Sequence, residues 1–187
     1  MTVDEIFSQL LTHMLTGMMV HEGFANYYSF LGLYGYQRCH EYHHFEETCS
    51  YRKIYTYYIE HFNQLVALNR VENPEVIPSF WYGHTRQEVD QNTKKESIKS
   101  GANGWVNWEK DTKKLYEKLY SELININEIA AAEKVKELII DVDYELKEAD
   151  DFLLKLIAVN YDMSVIIPEQ EKENKKYMRK LEDFKIC

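Results

Sequence analysis

From residue 3 to about residue 31, the positions Phe7, Leu10, Leu11, Met14, Met18, His21, Ala25, Tyr28 and Leu31 recur at steps of three and four. That spacing predicts one buried face of a long amphipathic helix. Gly32 and Gly35 come next and predict a tight turn. A second helix is predicted from about Tyr36 to Asn69, with Tyr51, Tyr55, Tyr58, Phe62 and Leu65 along its stripe. Continued towards the turn, that stripe takes in Glu47 or Thr48, then His44, then His40 or Glu41. The helix therefore carries polar residues onto the face that packing should bury, a conflict between levels that asks for a reason.

Residues 70–103 read differently. Asn73-Pro74 and Pro78 break helix, a polar run from Thr85 to Ser100 has the composition of a short exposed helix, and Ser100 to Gly104 (SGANG) closes the segment. A connection this long predicts a crossover rather than a turn between neighbours. A third helix is expected from about Trp105 to Ile126 on the stripe Trp105, Trp108, Thr112, Leu115, Leu119, Leu123, Ile126. A fourth follows to about Val159 on Val135, Leu138, Val142, Leu146, Ala149, Leu153, Leu156, and a last charged helix is expected to start at Pro168. The expected fold is an all-α antiparallel helical bundle forming one domain over 1–187. It divides into a helical hairpin at 3–69, a crossover at 70–103, and a second hairpin with a C-terminal helix at 104–187.

Composition sharpens this picture. Fifteen Tyr and a net charge of −9 stand out in 187 residues. An acidic surface repels phosphates, so direct nucleic-acid binding is not expected, whereas a protein partner with a basic groove is. Trp81, Trp105 and Trp108 read as packing residues. No window approaches the 18 apolar residues of a membrane span, so no membrane association is expected. Cys39 and Cys49, ten residues apart on one helix, are too far apart to bridge, and three cysteines without a good pair suggest a reducing, cytoplasmic setting.

Two long helices, a crossover and two more helices resemble the ferritin-like bundles. Glu22 in the first helix and the pair Glu46-Glu47 in the second, nearly equidistant from the turn, strengthen the resemblance. It implies a di-metal carboxylate site to which Glu22, His44 and Glu47 would contribute, with iron as the metal. The sequence departs from that family's Glu-x-x-His pattern: Glu46 is followed at +3 by Cys49, Glu47 by Ser50 and Glu145 by Glu148. Glu41 and His44 fit the pattern, but Glu41 lies more than a turn away.

Two other constellations compete. His40-Glu41-Tyr42-His43-His44 is a formal H-E-x-x-H match that resembles the zincins, in which His40 and His44 would bind zinc and Glu41 act as base. The His at position 43 and the Glu at 46 depart from that family's preference. On the fourth helix, Glu137, Asp141, Glu145 and Glu148 form an acidic stripe that a partner's basic side chains would relieve. The fragment GLYGYQRCHEYHHFEE also resembles small helical proteins of low-GC Gram-positive bacteria and their phages, which implies an inhibitor such as an anti-CRISPR protein. The leading expectation is a non-catalytic acidic inhibitor without a cofactor, occupying a basic surface of a CRISPR nuclease or another nucleic-acid enzyme. A ferritin-like iron protein is the alternative, and a zinc hydrolase the third reading.

Overall fold

The computed structural model describes residues 1–71 and 83–184. Five α-helices carry the fold, and among the described residues there is no strand. They are α1 (Val3–Phe30), α2 (Tyr34–Phe62), α3 (Gln91–Asn125), α4 (Ile129–Ala158) and α5 (Met163–Asp183), with a 3-10 turn at Arg86–Glu88. No helix among the described residues is long and apolar enough to cross a membrane.

α1 starts at a capping box. The Thr2 hydroxyl accepts from the Glu5 backbone N–H, and the Glu5 carboxylate accepts from Thr2 N–H. It ends in a Schellman pair, with Leu33 N–H on Tyr28 O, Gly32 N–H on Ser29 O, and Gly32 at φ +74°. The second glycine of the predicted turn plays another part. Gly35 lies in the first turn of α2, where a Cβ would stand 1.8 Å from the Gln170 carbonyl oxygen, so the missing side chain lets α5 approach.

Cross-links between helices fix their directions. Tyr58 bonds to Asp4, and His40 meets His21, so α2 runs antiparallel to α1. Tyr27 bonds to Ser97 O, and His13 to Thr112, so α3 also opposes α1 and runs parallel to α2. α3 begins much earlier than the stripe from Trp105 suggested. Asp90 caps it by accepting from Thr93 N–H, and the segment SGANG lies inside the helix. Gly101 is there for close approach, since a Cβ on it would meet Tyr28 Oη at 2.7 Å. α5 likewise starts before Pro168, at an Asp162 cap bonded to Ser164 N–H. Asn73, Pro74, Pro78 and Trp81 lie outside the described residues. Cys39 is a free buried thiol and Cys49 is disulfide-bonded, so the argument from unpaired cysteines to a compartment lapses.

The core has two apolar halves. One, around Phe24, Tyr28, Trp105 and Leu156, fills the end near the α1–α2 turn. The other, around Phe7, Leu10, Tyr58, Leu119 and Val135, fills the opposite end. Between them every helix of the four-helix bundle breaks its apolar stripe at one level: Gly17 and His21 on α1, His43 and Glu47 on α2, Glu109 on α3, Glu145 on α4.

Candidate metal centre

In α1, His21 is fully buried and Glu22, one residue on, is exposed and accepts from Asn26. One residue is a rotation of about 100° on a helix, so only one of the two can face inward. The structure thus separates Glu22 from Glu47. Glu47 is buried against Gly17, whose missing Cβ leaves room for the carboxylate: a Cβ there would lie 3.2 Å from Oε1. His44 turns to the α1 seam, where its Nδ1–H donates to Met18 O at 3.0 Å.

The H-E-x-x-H residues do not converge. His40 points to His21, with 3.1 Å between their Nδ1 atoms. Glu41 turns outward and accepts from Arg38 and Gln37, both at 2.7 Å. With His44 held by a backbone carbonyl, no zincin-type pair exists. The acidic stripe of α4 also divides. Glu137 is exposed and paired with Lys134 at 2.9 Å, and Asp141 is exposed, whereas Glu145 and Glu148 are half-buried and turned towards the bundle. The spacing of four, four and three drifts around the helix and carries the last two inward.

The residues that do meet are His21, His43, Glu46, Glu47, Glu109, Glu145 and Glu148. His43 Nδ1 lies 3.4 Å from Glu46 Oε2, and its Nε2 lies 3.5 Å from Glu148 Oε2. His21 Nε2 is 3.7 Å from Glu109 Oε1, which accepts from the Trp105 indole N–H at 2.9 Å. One ligand atom each from His43, Glu46 and Glu145 lies within 4.8 Å of the others. Two donors about 2.1 Å from one ion stand at most about 4.2 Å apart, so small side-chain rotations close that triad on a cation. His21 Nε2, both His43 nitrogens and Glu109 Oε2 are buried without a hydrogen-bond partner. Buried orphan donors and acceptors are costly, and here they gather in one layer.

The electrostatics follow from the crowding. Burial, then the neighbouring Glu109, pushes Glu47 up to about 8. Burial likewise raises Glu109 to about 7, against the opposing pull of His43. Glu145 is raised in the same direction by burial and by Glu109 and Glu47. His21 and His40 are held well below the usual imidazole value by burial, then by neighbouring imidazoles, so both are neutral. Burial lowers His43 too, but the neighbouring Cys39 and Glu148 outweigh it and leave the ring above its ordinary value. Among the described residues no Lys or Arg pairs with Glu47, Glu109 or Glu145. In metal-free protein the counter-charge is protons. A recess of about 490 Å³, bordered by Glu46, Asp141, Glu145 and Glu148, joins this layer to solvent.

No protein-family model and no curated protein matches the sequence. Solved structures do match the fold. A closed-form engineered ferritin of Archaeoglobus fulgidus superposes with a TM-score of 0.76 at 15% identity, covering 93% of this chain and 96% of that one. The open-pore ferritin of the same archaeon gives 0.75 at 16% identity over 91% and 94%, and a humanized archaeal ferritin 0.76 at 15% over 91% and 94%.

The fold is ferritin-like.

That finding, with the buried carboxylate layer, overturns the leading expectation of a non-catalytic inhibitor without a cofactor. An inhibitor has no use for carboxylates buried away from its partner. Within the ferritin-like bundle the donor set is unusual for its class. Such sites take a Glu from each of two helices and Glu-x-x-His from the other two. Here α1 offers His21, α2 offers His43, Glu46 and Glu47, α3 offers Glu109, and α4 offers Glu145 and Glu148. Sequence reasoning missed Glu109 and His21, and took His43 only as a departure from the H-E-x-x-H pattern. The signal for both was present: Glu109 lies on the apolar stripe between Trp105 and Thr112, and His21 lies on that of α1.

Proposed function

We propose that this protein binds and oxidises iron, using the carboxylate and histidine layer at the middle of its bundle. The observation that carries the reading is the convergence of Glu47, Glu109 and Glu145 from three helices on His43, without a Lys or Arg to neutralise them among the described residues. Hard, oxygen-preferring cations with some affinity for imidazole suit that set, and the structural likeness to ferritins favours iron. His43, Glu46 and Glu145 form the group nearest the recess, and Glu47, Glu109 and His21 form the deeper one. Bound iron supplies one-electron chemistry with dioxygen. The chain's own part is to exchange protons for cations: Glu47 and Glu109 release theirs as the ligands are taken up. Trp105 fixes one Glu109 oxygen and leaves Oε2 free. The His40 contact at His21 Nδ1 fixes that ring so that Nε2 faces Glu109.

The test is anaerobic Fe²⁺ titration of tag-free protein by calorimetry, followed by oxygen uptake on exposure to air. Stoichiometric Fe²⁺ binding that is abolished in the double variant Glu109→Gln/Glu145→Gln, folded by circular dichroism, is the expected result. Wild-type protein that binds no Fe²⁺ would refute the reading. Binding without oxygen uptake would remove the oxidation step and leave iron binding.

A further inference from the structure

A cavity of about 790 Å³ opens between α4 and α5, on the other side of Tyr144 and Glu148 from the recess that serves the carboxylate layer. α5 packs along α2 rather than α4, and this leaves the gap. His40 and Trp105 form its floor, and Tyr36, Phe152, Leu156 and Ile166 form its walls. Phe152 meets Tyr36 edge-on at 4.7 Å between centroids and Trp105 at 5.7 Å, so an aromatic corner is already assembled. The volume and the apolar walls are those of a small-molecule site, with charged side chains gathered around them.

The charges around it decide what kind. At the inner end stands Glu148, which accepts from the Tyr177 hydroxyl and lies 3.4 Å from Lys176 Nζ. An anion entering there meets the carboxylate; a cation meets Lys176. At the rim, Lys176 answers Glu173 at 3.3 Å, and Glu169 answers Lys172 at 2.6 Å. Along α4, Lys147, Asp151 and Lys155 line the mouth four residues apart with alternating sign. No side of the cavity presents a field of one sign.

We propose that the α4–α5 cavity binds an uncharged planar aromatic molecule bearing a hydroxyl or ring N–H. The ring packs against Tyr36, Trp105 and Phe152, where offset and edge-on contacts favour aromatic partners. The polar group faces His40 and Glu148. The inference does not need bound metal, so its test uses chelator-treated protein and stands or falls apart from iron binding.

The probe is 2-naphthol, titrated by calorimetry beside 2-naphthoate and 2-naphthylmethylammonium, which keep the ring and change the charge. Two variants block the cavity from exposed positions: Ala158→Phe at the end of α4 and Val165→Trp on the facing wall. The expected result is saturable 1:1 binding of 2-naphthol and at least about tenfold weaker binding of both charged analogues. Each variant, with unchanged circular dichroism and melting, should lose about tenfold in affinity for 2-naphthol. Absence of saturable binding, equal binding of all three probes, or undiminished binding by both folded variants overturns the proposal.

Discussion

Raising the pH of metal-free protein from 6.5 to 8.5 should destabilise it, against the usual behaviour of carboxylates. Glu47 and Glu109 hold protons up to about 8 and about 7 in the fold, whereas in the unfolded chain they lose them near 4.5. The folded state therefore binds more protons throughout this window, and stability falls as they are removed. Integrating both groups from pH 6.5 to 8.5 gives a loss of about 2 kcal/mol from Glu47 and about 1 kcal/mol from Glu109. His43, also raised, acts in the same direction. His13, His21 and His40 are depressed in the fold and oppose this: their unfolded forms shed the last half-proton above pH 6.5, which returns about 0.4 kcal/mol each and leaves a net loss of about 2 kcal/mol. At roughly 2–4 °C per kcal/mol for a chain of this size, Tm should drop by roughly 4–8 °C. Thermal melts followed by circular dichroism in chelator read this directly. Glu47→Gln/Glu109→Gln should flatten the profile, and Mn²⁺, which is stable to air at the lower pH, should raise Tm most at pH 8.5. A wild-type Tm that is flat or rises across the window would show that these carboxylates are not crowded as described.

Gly101→Ala puts a Cβ 2.7 Å from Tyr28 Oη in a closed seam, so urea unfolding should show a loss of about 1–3 kcal/mol. Gly35→Ala forces the α5 backbone away, and limited proteolysis should release the C-terminal helix at protease levels that leave wild type whole. Glu22→Gln should change neither Fe²⁺ stoichiometry by calorimetry nor stability beyond about 0.5 kcal/mol, because the side chain is exposed and, among the described residues, bonded to Asn26 alone. Disrupting the imidazole pair with His40→Phe keeps the ring's volume but frees His21 to turn. Fe²⁺ affinity should fall about tenfold with unchanged stoichiometry, and an unchanged affinity would remove the positioning role.

The helices were legible where one face is continuously apolar. The stripe from Phe7 to Leu31 maps onto α1 with its turn at Gly32. Glycine misled twice, because close approach and backbone bending use the same residue. Gly35 and Gly101 were read as punctuation, and both are places where a neighbouring helix or side chain takes the Cβ position. The same ambiguity hid α3's first four turns. At the site, the choice of Glu22 followed residue type over helical phase. His21, which sits on the stripe, faces inward, and the glutamate beside it cannot. Glu145 and Glu148 were legible as an acidic run and as a Glu-x-x-Glu pair lacking the family's His, but spacing does not show where a run turns beneath a neighbouring helix.

The position of the polar layer argues against an accident of packing. Two apolar halves close the bundle on either side of it, and each could extend by one turn if Glu47, Glu109 and His21 were leucine or methionine. Exchanging buried charged groups for apolar ones of similar volume is often neutral or stabilising, so stability alone does not account for the layer. The supports are equally specific. Gly17 yields its side-chain volume to Glu47, Trp105 gives its only N–H to Glu109, and His40 spends Nδ1 on His21. Three helices thus place small or polar residues where apolar ones would pack, and each placement orients a donor towards one point. A layer that is costly when protonated and well formed when a cation replaces the protons fits binding as the reason for its residues.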